Sequence, residues 1–158
     1  MKITTFAAAA ALTGLSVAPA LAQDMVTAKD PQSVIDALTA AGYQGATLSK
    51  TESGRSSIKV QLSGSPTYID FYDCAADFTE CYTMLFIYAM DLNDGTTLEK
   101  ANEWNAQEIT GRVSLDRDRD PALDYAFSTF EGVSQSVFEQ NVELWDKKVG
   151  QVKDFFDF

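Results

Sequence analysis

The feature of this sequence that most constrains its fold is a run of apolar residues at helical spacing near the C-terminus. The residues recur at intervals of four, three, four, three and four: Phe138, Val142, Trp145, Val149, Val152 and Phe156. Residues spaced in this way lie on one face of an α-helix, so the pattern predicts an amphipathic helix over residues 134–155. Because the apolar face of such a helix must be buried, the rest of the chain has to supply a second layer.

Two shorter helices are predicted upstream. Asp30 and Pro31 are suited to the N-cap and first position of a helix, which Gly42 then ends. The second helix is expected to run from a cap at Thr96 to about Ile109. Glu99 would complete a capping box with Thr96. The apolar face of the second helix is assigned to Leu98, Ala101, Asn105 and Ile109.

Alternation of apolar and polar residues predicts strands over residues 47–51, 57–62, 68–72, 81–90, 112–116 and 122–130. The fourth is almost wholly apolar, which is typical of a central strand covered on both faces. Short turns between the first four favour an antiparallel meander. The predicted order is therefore α-β-β-β-β-α-β-β-α, an α+β fold with an antiparallel sheet of about six strands and three helices.

The first 22 residues have the layout of a secretory signal: a basic start at Lys2, a short apolar core, and the small residues Ala20 and Ala22 before the cleavage point. The apolar core is too short to span a bilayer. We therefore expect residues 1–22 to be a signal peptide and residues 23–158 to form a single domain in the periplasm or outside the cell. Residues 23–29 are interpreted as a polar lead-in.

Cys74 and Cys81 are the 2 cysteines of the chain. In an exported protein an even number favours a disulfide, and six intervening residues are few enough to bring the two side chains together. The spacing is not that of a redox C-x-x-C motif, and the chain has 0 histidines to complete a zinc site. The predicted role is to fix the register of the third and fourth strands.

The formal net charge of −11 makes nucleic acid and anionic membrane surfaces unfavourable partners. The sequence lacks the usual sets of nucleophile and base and the glycine-rich loops that bind phosphate. No cofactor is expected. Two alternatives to a binding domain stay open: a hydrolase that uses carboxylates, favoured by a pocket with two converging acids, and a cation-binding protein that uses an acidic turn.

The acidic turn contains Asp116, Asp118 and Asp120, which match the opening of a calcium loop. Pro121 stands where such a loop needs glycine, and Phe127 stands where it needs a bidentate glutamate. A solvated hairpin turn is the preferred interpretation.

Several motifs of the second half occur together. Asn102, Trp104 and Asn105 form an N-x-W-N helix, and Arg112 begins the strand sequence R-V-S-L-D. An acidic turn, a strand and Gly132 then precede the closing helix. In this order the motifs resemble the YbjN family, which carries the label of bacterial sensory transduction regulators. The resemblance covers about residues 31–156 in element order.

The resemblance implies a fold similar to type III secretion chaperones, small α+β proteins that bind other polypeptides. It implies no enzymatic activity. We therefore expect a non-catalytic interaction domain of the YbjN type, chaperone-like or regulatory, with another polypeptide as its partner. A homodimer is an open alternative. Many members of the family are cytoplasmic, but we do not expect a cytoplasmic role for this chain, because it has a predicted signal peptide.

Two groups of residues are candidates for partner binding. The first comprises Asn102, Trp104, Asn105 and Arg112. Asn102 and Asn105 share a helix face from which Trp104 points away, and a structural role for the amides is the competing interpretation. Arg112 is expected to pair with an acid such as Glu108. The second group comprises Phe155, Phe156 and Phe158, which form an exposed apolar patch unless they cap the core.

Overall fold

The computed structural model describes residues 25–62 and 64–158. The predicted signal peptide, its cleavage point and Ser63 lie outside the described residues. The helices are α1 (Pro31–Ala40), α2 (Leu98–Gln107) and α3 (Gln135–Phe156). The strands are β1 (Thr47–Lys50), β2 (Ser56–Leu62), β3 (Ser65–Tyr72), β4 (Thr83–Ala89), β5 (Arg112–Leu115) and β6 (Pro121–Ser128).

The six strands form one antiparallel sheet in the order β1-β2-β3-β4-β6-β5. The predicted α+β class, element order and meander of the first four strands are therefore confirmed. β6 inserts between β4 and β5, so β5 becomes one edge of the sheet and β1 the other.

Helix α3 packs on one face of the sheet with the apolar residues predicted for it. All six residues of the repeat are buried. The Trp145 ring lies 5.7 Å from that of Phe86 in β4, and its Nε1 donates to Thr67 Oγ1 of β3 at 3.0 Å. Ser134 caps the helix by accepting from the Val137 amide. The long helix thus forms the layer against which the centre of the sheet is buried.

Strand β4 is central, but helices cover it on one face and not on both as predicted. Met84, Phe86 and Tyr88 are buried on the α3 side, whereas Leu85 and Ile87 on the opposite side are half-buried. Side chains alternate between the two faces of a strand, and within the part of the chain that the structure describes the three helices lie on one face, so that most residues of the outer face are half-buried or exposed.

Helix α2 begins one residue later than predicted. Its N-cap is Thr97, whose side chain accepts from the Lys100 amide at 3.1 Å, so Thr96 and Glu99 do not form a capping box. Ala101 is buried as predicted, but Trp104 shares the buried face with it, and Leu98, Asn105 and Ile109 of the predicted apolar face are exposed.

Residues 25–29 are more than a polar lead-in. The Val26 and Val133 backbones exchange two hydrogen bonds of 2.9 Å each, and the Ala28 amide donates to Thr129 Oγ1 at 3.0 Å. Val26 and Ala28 are both buried. The segment before α1 is therefore fastened to the loop that enters α3.

Candidate functional site

Helix α2 covers part of the free edge of β5 with its side chains. Asn105 accepts from the Val113 amide at 2.8 Å and donates from Nδ2 to the Val113 carbonyl at 3.0 Å. These two backbone groups face away from β6, because β5 is the last strand of the sheet. The carboxamide of Asn105 therefore occupies the place that a residue of a seventh strand would take.

Trp104 covers the same edge one step further along. Its Nε1 donates to the Gly111 carbonyl at 3.1 Å while its ring is buried. The prediction that Trp104 points away from Asn105 missed that both side chains reach the start of β5. Asn102 is exposed on α2. The geometry gives Trp104 and Asn105 a structural role, and their use in partner binding stays a prediction.

Arg112 pairs across the sheet with Asp124 of β6 at 2.9 Å, not with Glu108 as expected. The hydrogen bond that Arg112 donates to Asp124, followed by the negative charge of that carboxylate, raises the pKa of Arg112 above its usual range. Glu108 pairs with the buried Lys148 of α3 instead. The partner of Arg112 was missed because the register of the β5–β6 hairpin decides which residue of β6 lies opposite it.

The acidic turn uses its carboxylates for backbone hydrogen bonds. Asp116 Oδ1 accepts from the amides of Asp118 and Asp120, each at 2.9 Å, and Asp120 Oδ1 accepts from the Leu92 amide at 2.9 Å. Within residues 25–62 and 64–158, no group of at least 3 His, Cys, Asp or Glu side chains is arranged to hold a metal ion. The geometry is that of a turn that joins β5 to β6 and ties it to the loop before α2.

A cavity of about 200 Å³ beside the end of α1 is lined by Ala41, Tyr43, Glu139 and Glu143. Burial, then the charges of Asp146 and Glu143, raise the pKa of Tyr43. Glu139 also accepts from Gln135 at 2.8 Å. A cavity with two glutamates in its lining is the feature that bears on the alternative of a carboxylate hydrolase.

The Cys74–Cys81 disulfide is present between β3 and β4, as predicted. The loop that it closes carries Phe78, whose ring, like that of Tyr72, lies close to Arg55 in the turn between β1 and β2. The Arg55 guanidinium carbon is 4.0 Å from the Tyr72 ring centroid and 5.5 Å from that of Phe78. The disulfide loop thereby contacts the β1–β2 corner.

The C-terminal phenylalanines have unequal exposure. Phe156 is buried, and the Phe155 ring packs 5.5 Å from that of Trp104. Phe158 is 50% exposed, and its ring centroid lies 6.4 Å from that of Tyr88 in an edge-to-face arrangement. Two of the three therefore extend the core, and Phe158 keeps an accessible apolar face.

At the other edge of the sheet, β1, no helix side chain among residues 25–62 and 64–158 forms a hydrogen bond of this kind with the backbone. The Thr51 amide donates to the Arg55 carbonyl at 2.8 Å, and the register pairs Ser49 with Ser57 and Thr47 with Lys59. Hydrogen-bonded positions alternate along an antiparallel pair. The backbone N–H and C=O groups of Leu48 and Lys50 therefore face away from β2.

Strand β1 is exposed along its whole length, and Leu48 is 48% exposed. Residues 41–69 contain Lys50, Arg55 and Lys59 but a single acid, Glu52, in a chain with 23 acidic and 12 basic residues. A shallow cavity of about 350 Å³ adjoins the strand on the outer face, where Tyr68, Asp70 and Ile87 form one side. Sequence reasoning missed this site, because the edge position of β1 depends on the strand order.

The fold and these two edges define a small α+β domain with one antiparallel sheet that helices cover on one face. A family model matches residues 30–158: YbjN, described as "Putative bacterial sensory transduction regulator". The match spans most of the chain, and the protein belongs to the YbjN family. That description names a regulator and not an enzyme. Neither the curated proteins nor the solved structures gave a match. Among the described residues, no helix is long and apolar enough to cross a membrane.

Proposed function

We propose that the chain is exported to the periplasm and acts there as a non-catalytic, regulatory domain that binds an extended segment of another polypeptide along β1. The observation that carries the proposal is the contrast between the two edges of the sheet. Side chains of α2 hydrogen-bond to the Gly111 carbonyl and to both backbone groups of Val113 at the β5 edge, whereas the backbone groups of Leu48 and Lys50 at the β1 edge face outward. An exposed edge with unpaired donors and acceptors can accept an additional strand.

A photo-crosslinking amino acid at Leu48 tests the binding half of the proposal in cells that export the full chain. The same probe at Ser114 in β5 is the matched control, since Ser114 lies on the opposite edge strand. We expect adducts with another polypeptide from position 48 and few from position 114. Equal labelling from both positions, or none from position 48, would contradict binding along β1.

Export is tested on the same cells. We expect the protein in the periplasmic fraction, with N-terminal sequencing starting at Gln23 because Ala20 and Ala22 precede it. An intact Met1 in the protein purified from its native host would refute export.

A carboxylate hydrolase is the second candidate, and the cavity lined by Glu139 and Glu143 favours it. The double substitution Glu139→Gln and Glu143→Gln separates the two functions. It would abolish a hydrolase activity but leave crosslinking from position 48 unchanged.

A further inference from the structure

We propose that the segment that pairs with β1 has an acidic residue followed, two positions later, by an apolar residue. The inference rests on the proposed function and specifies its ligand. It follows from which side chains of β1 a new strand would meet. The occupant is an extended acidic segment of a different protein, paired antiparallel to β1.

The backbone direction fixes which residues of the added strand face which residues of β1. Leu48 and Lys50 present their N–H and C=O groups to the free edge, so residues opposite them form the hydrogen-bonded pairs. The side chains of these two residues lie on the helix-covered face of the sheet, because they pair with the buried Ile58 and Ser56. Residues of the added strand opposite Leu48 and Lys50 therefore lie on that same face, and the residue between them lies on the outer face.

Directly opposed side chains in an antiparallel pair are about 5 Å apart and interact. Lys50 reaches Ser56 Oγ at 3.0 Å and remains exposed, so a carboxylate opposite it would form a cross-strand ion pair. Leu48 is half-exposed, so an apolar residue opposite it would bury its free surface. In an antiparallel strand the residue opposite Lys50 comes first, which gives the order acidic, any residue, apolar.

Charge also favours a foreign acidic segment over a second copy of this chain. Consider two copies that pair antiparallel through β1 with the two-fold axis at Ser49. The outward N–H and C=O groups of Leu48 and Lys50 would then all be hydrogen-bonded, and Leu48 of each copy would lie opposite Lys50 of the other. Two chains of net charge −11 also repel each other. A lysine on a short edge strand is a common device against self-pairing. The same lysine attracts a carboxylate.

The test uses synthetic peptides built from repeats of Glu-Thr-Val-Thr, with Gln-Thr-Val-Thr and Lys-Thr-Val-Thr as controls. All three carry the same neutral polyethylene glycol tail for solubility. Binding to the full mature chain is followed by the amide chemical shifts of β1. We expect the glutamate peptide to bind at least about fivefold more tightly than the lysine peptide, because the opposed pair changes from attractive to repulsive.

Charge reversal identifies the contact. Lys50→Glu should reverse the order, so that the lysine peptide binds more tightly. Lys59→Glu is the matched control: it makes the same charge change on β2, one strand in from the edge, and should keep the original order. If both variants shift the preference equally, the effect is long-range charge and the proposed contact is wrong.

Backbone methylation separates a failure of this inference from a failure of the proposed function. N-methylation of valine should abolish binding, because its N–H faces β1, whereas N-methylation of threonine should not. If valine methylation blocks binding but all three peptides bind equally, strand pairing stands and the acidic preference is refuted. If none of the peptides binds and position 48 gives no adduct, the proposed function fails as well. A dimer in sedimentation that Leu48→Pro dissociates would assign the edge to a second copy and overturn the inference.

Discussion

At the β5 edge, one carboxamide supplies both a donor and an acceptor where the sheet ends. Asparagine suits the position because its side chain carries the same pair of groups as a peptide bond. Asn105 reaches both backbone groups of Val113, and Trp104 reaches the Gly111 carbonyl. The N-x-W-N motif is therefore explained, at two of its residues, by the need to satisfy an exposed sheet edge.

Asn105→Ala should lower the free energy of unfolding by about 1–3 kcal/mol, because two partly buried backbone groups lose their partners. Asn102→Ala is the matched control on the same helix. It should change stability by no more than about 0.5 kcal/mol, since Asn102 is exposed. Urea unfolding of both variants measures the difference. Equal losses in the two variants would show that the contact with Val113 contributes nothing.

The terminal aromatics give a second contrast between neighbouring residues. Phe156→Ala should cost about 3–5 kcal/mol, because the ring is buried in the core beneath α3. Phe158→Ala should cost less than about 1 kcal/mol, because half of that ring is already exposed. Thermal and urea unfolding report both values. A small effect of Phe156→Ala would mean that the ring is exposed in solution and available to a partner.

Among the elements, the hairpin of β3 and β4 depends on a covalent link. The disulfide closes a loop with a sequence separation of 7 and holds Phe78 against Arg55 at the β1–β2 corner. The disulfide therefore links the β3–β4 pair at the centre of the sheet to the corner that precedes β2 and follows β1, the edge strand for which we propose binding.

Replacing both cysteines, Cys74→Ser with Cys81→Ser, should reduce stability by about 2–3 kcal/mol, because a closed loop of this size restricts the unfolded chain. Intact-mass analysis should show a gain of two hydrogens on reduction of the native protein. Freely alkylated thiols in the unreduced protein would refute the bond. The unfolding midpoint of the double variant, compared with that of the reduced native protein, checks that the effect comes from the link and not from the serines.

The elements that could be predicted are those whose signal is local. The bounds of α3 were predicted to within a residue, because Phe138 to Phe156 repeat with the helix and Ser134 supplies a cap. The predicted start of α2 was wrong by one residue, because adjacent Thr96 and Thr97 can both serve as caps, and Thr97 is the one that accepts from the Lys100 amide. The pairs and edges that form the candidate site depend instead on strand order. The register of the β5–β6 hairpin brings Arg112 to Asp124, and β1 is left at an edge because β6 and β5 join the sheet on the β4 side.

For the whole molecule, the sheet separates a helix-covered side from a side open to solvent, and the buried side carries the tyrosines that resist ionisation. Burial raises the pKa of Tyr125, whose hydroxyl donates to Asn141 at 2.6 Å, and burial also raises the pKa of Tyr88. The stability of the fold should therefore depend on alkaline pH through the ionisation of these tyrosines.

Stability should fall as the pH rises above about 10, the ordinary pKa of tyrosine. Above that value, tyrosines of the unfolded chain release protons that Tyr43, Tyr88 and Tyr125 still hold in the folded state. The unfolded state then binds fewer protons than the native state, so the free energy of unfolding decreases with pH. Urea unfolding across the alkaline range, with tyrosinate absorbance recorded in parallel, measures the slope of the free energy of unfolding against pH.

Tyr125→Phe removes one of the three tyrosines and should make this slope less steep. The variant also loses the hydrogen bond from Tyr125 to Asn141. This loss lowers stability equally at each pH below the tyrosine pKa, so it does not affect the comparison of the two slopes. An identical slope in the variant would show that Tyr125 does not contribute to alkaline unfolding.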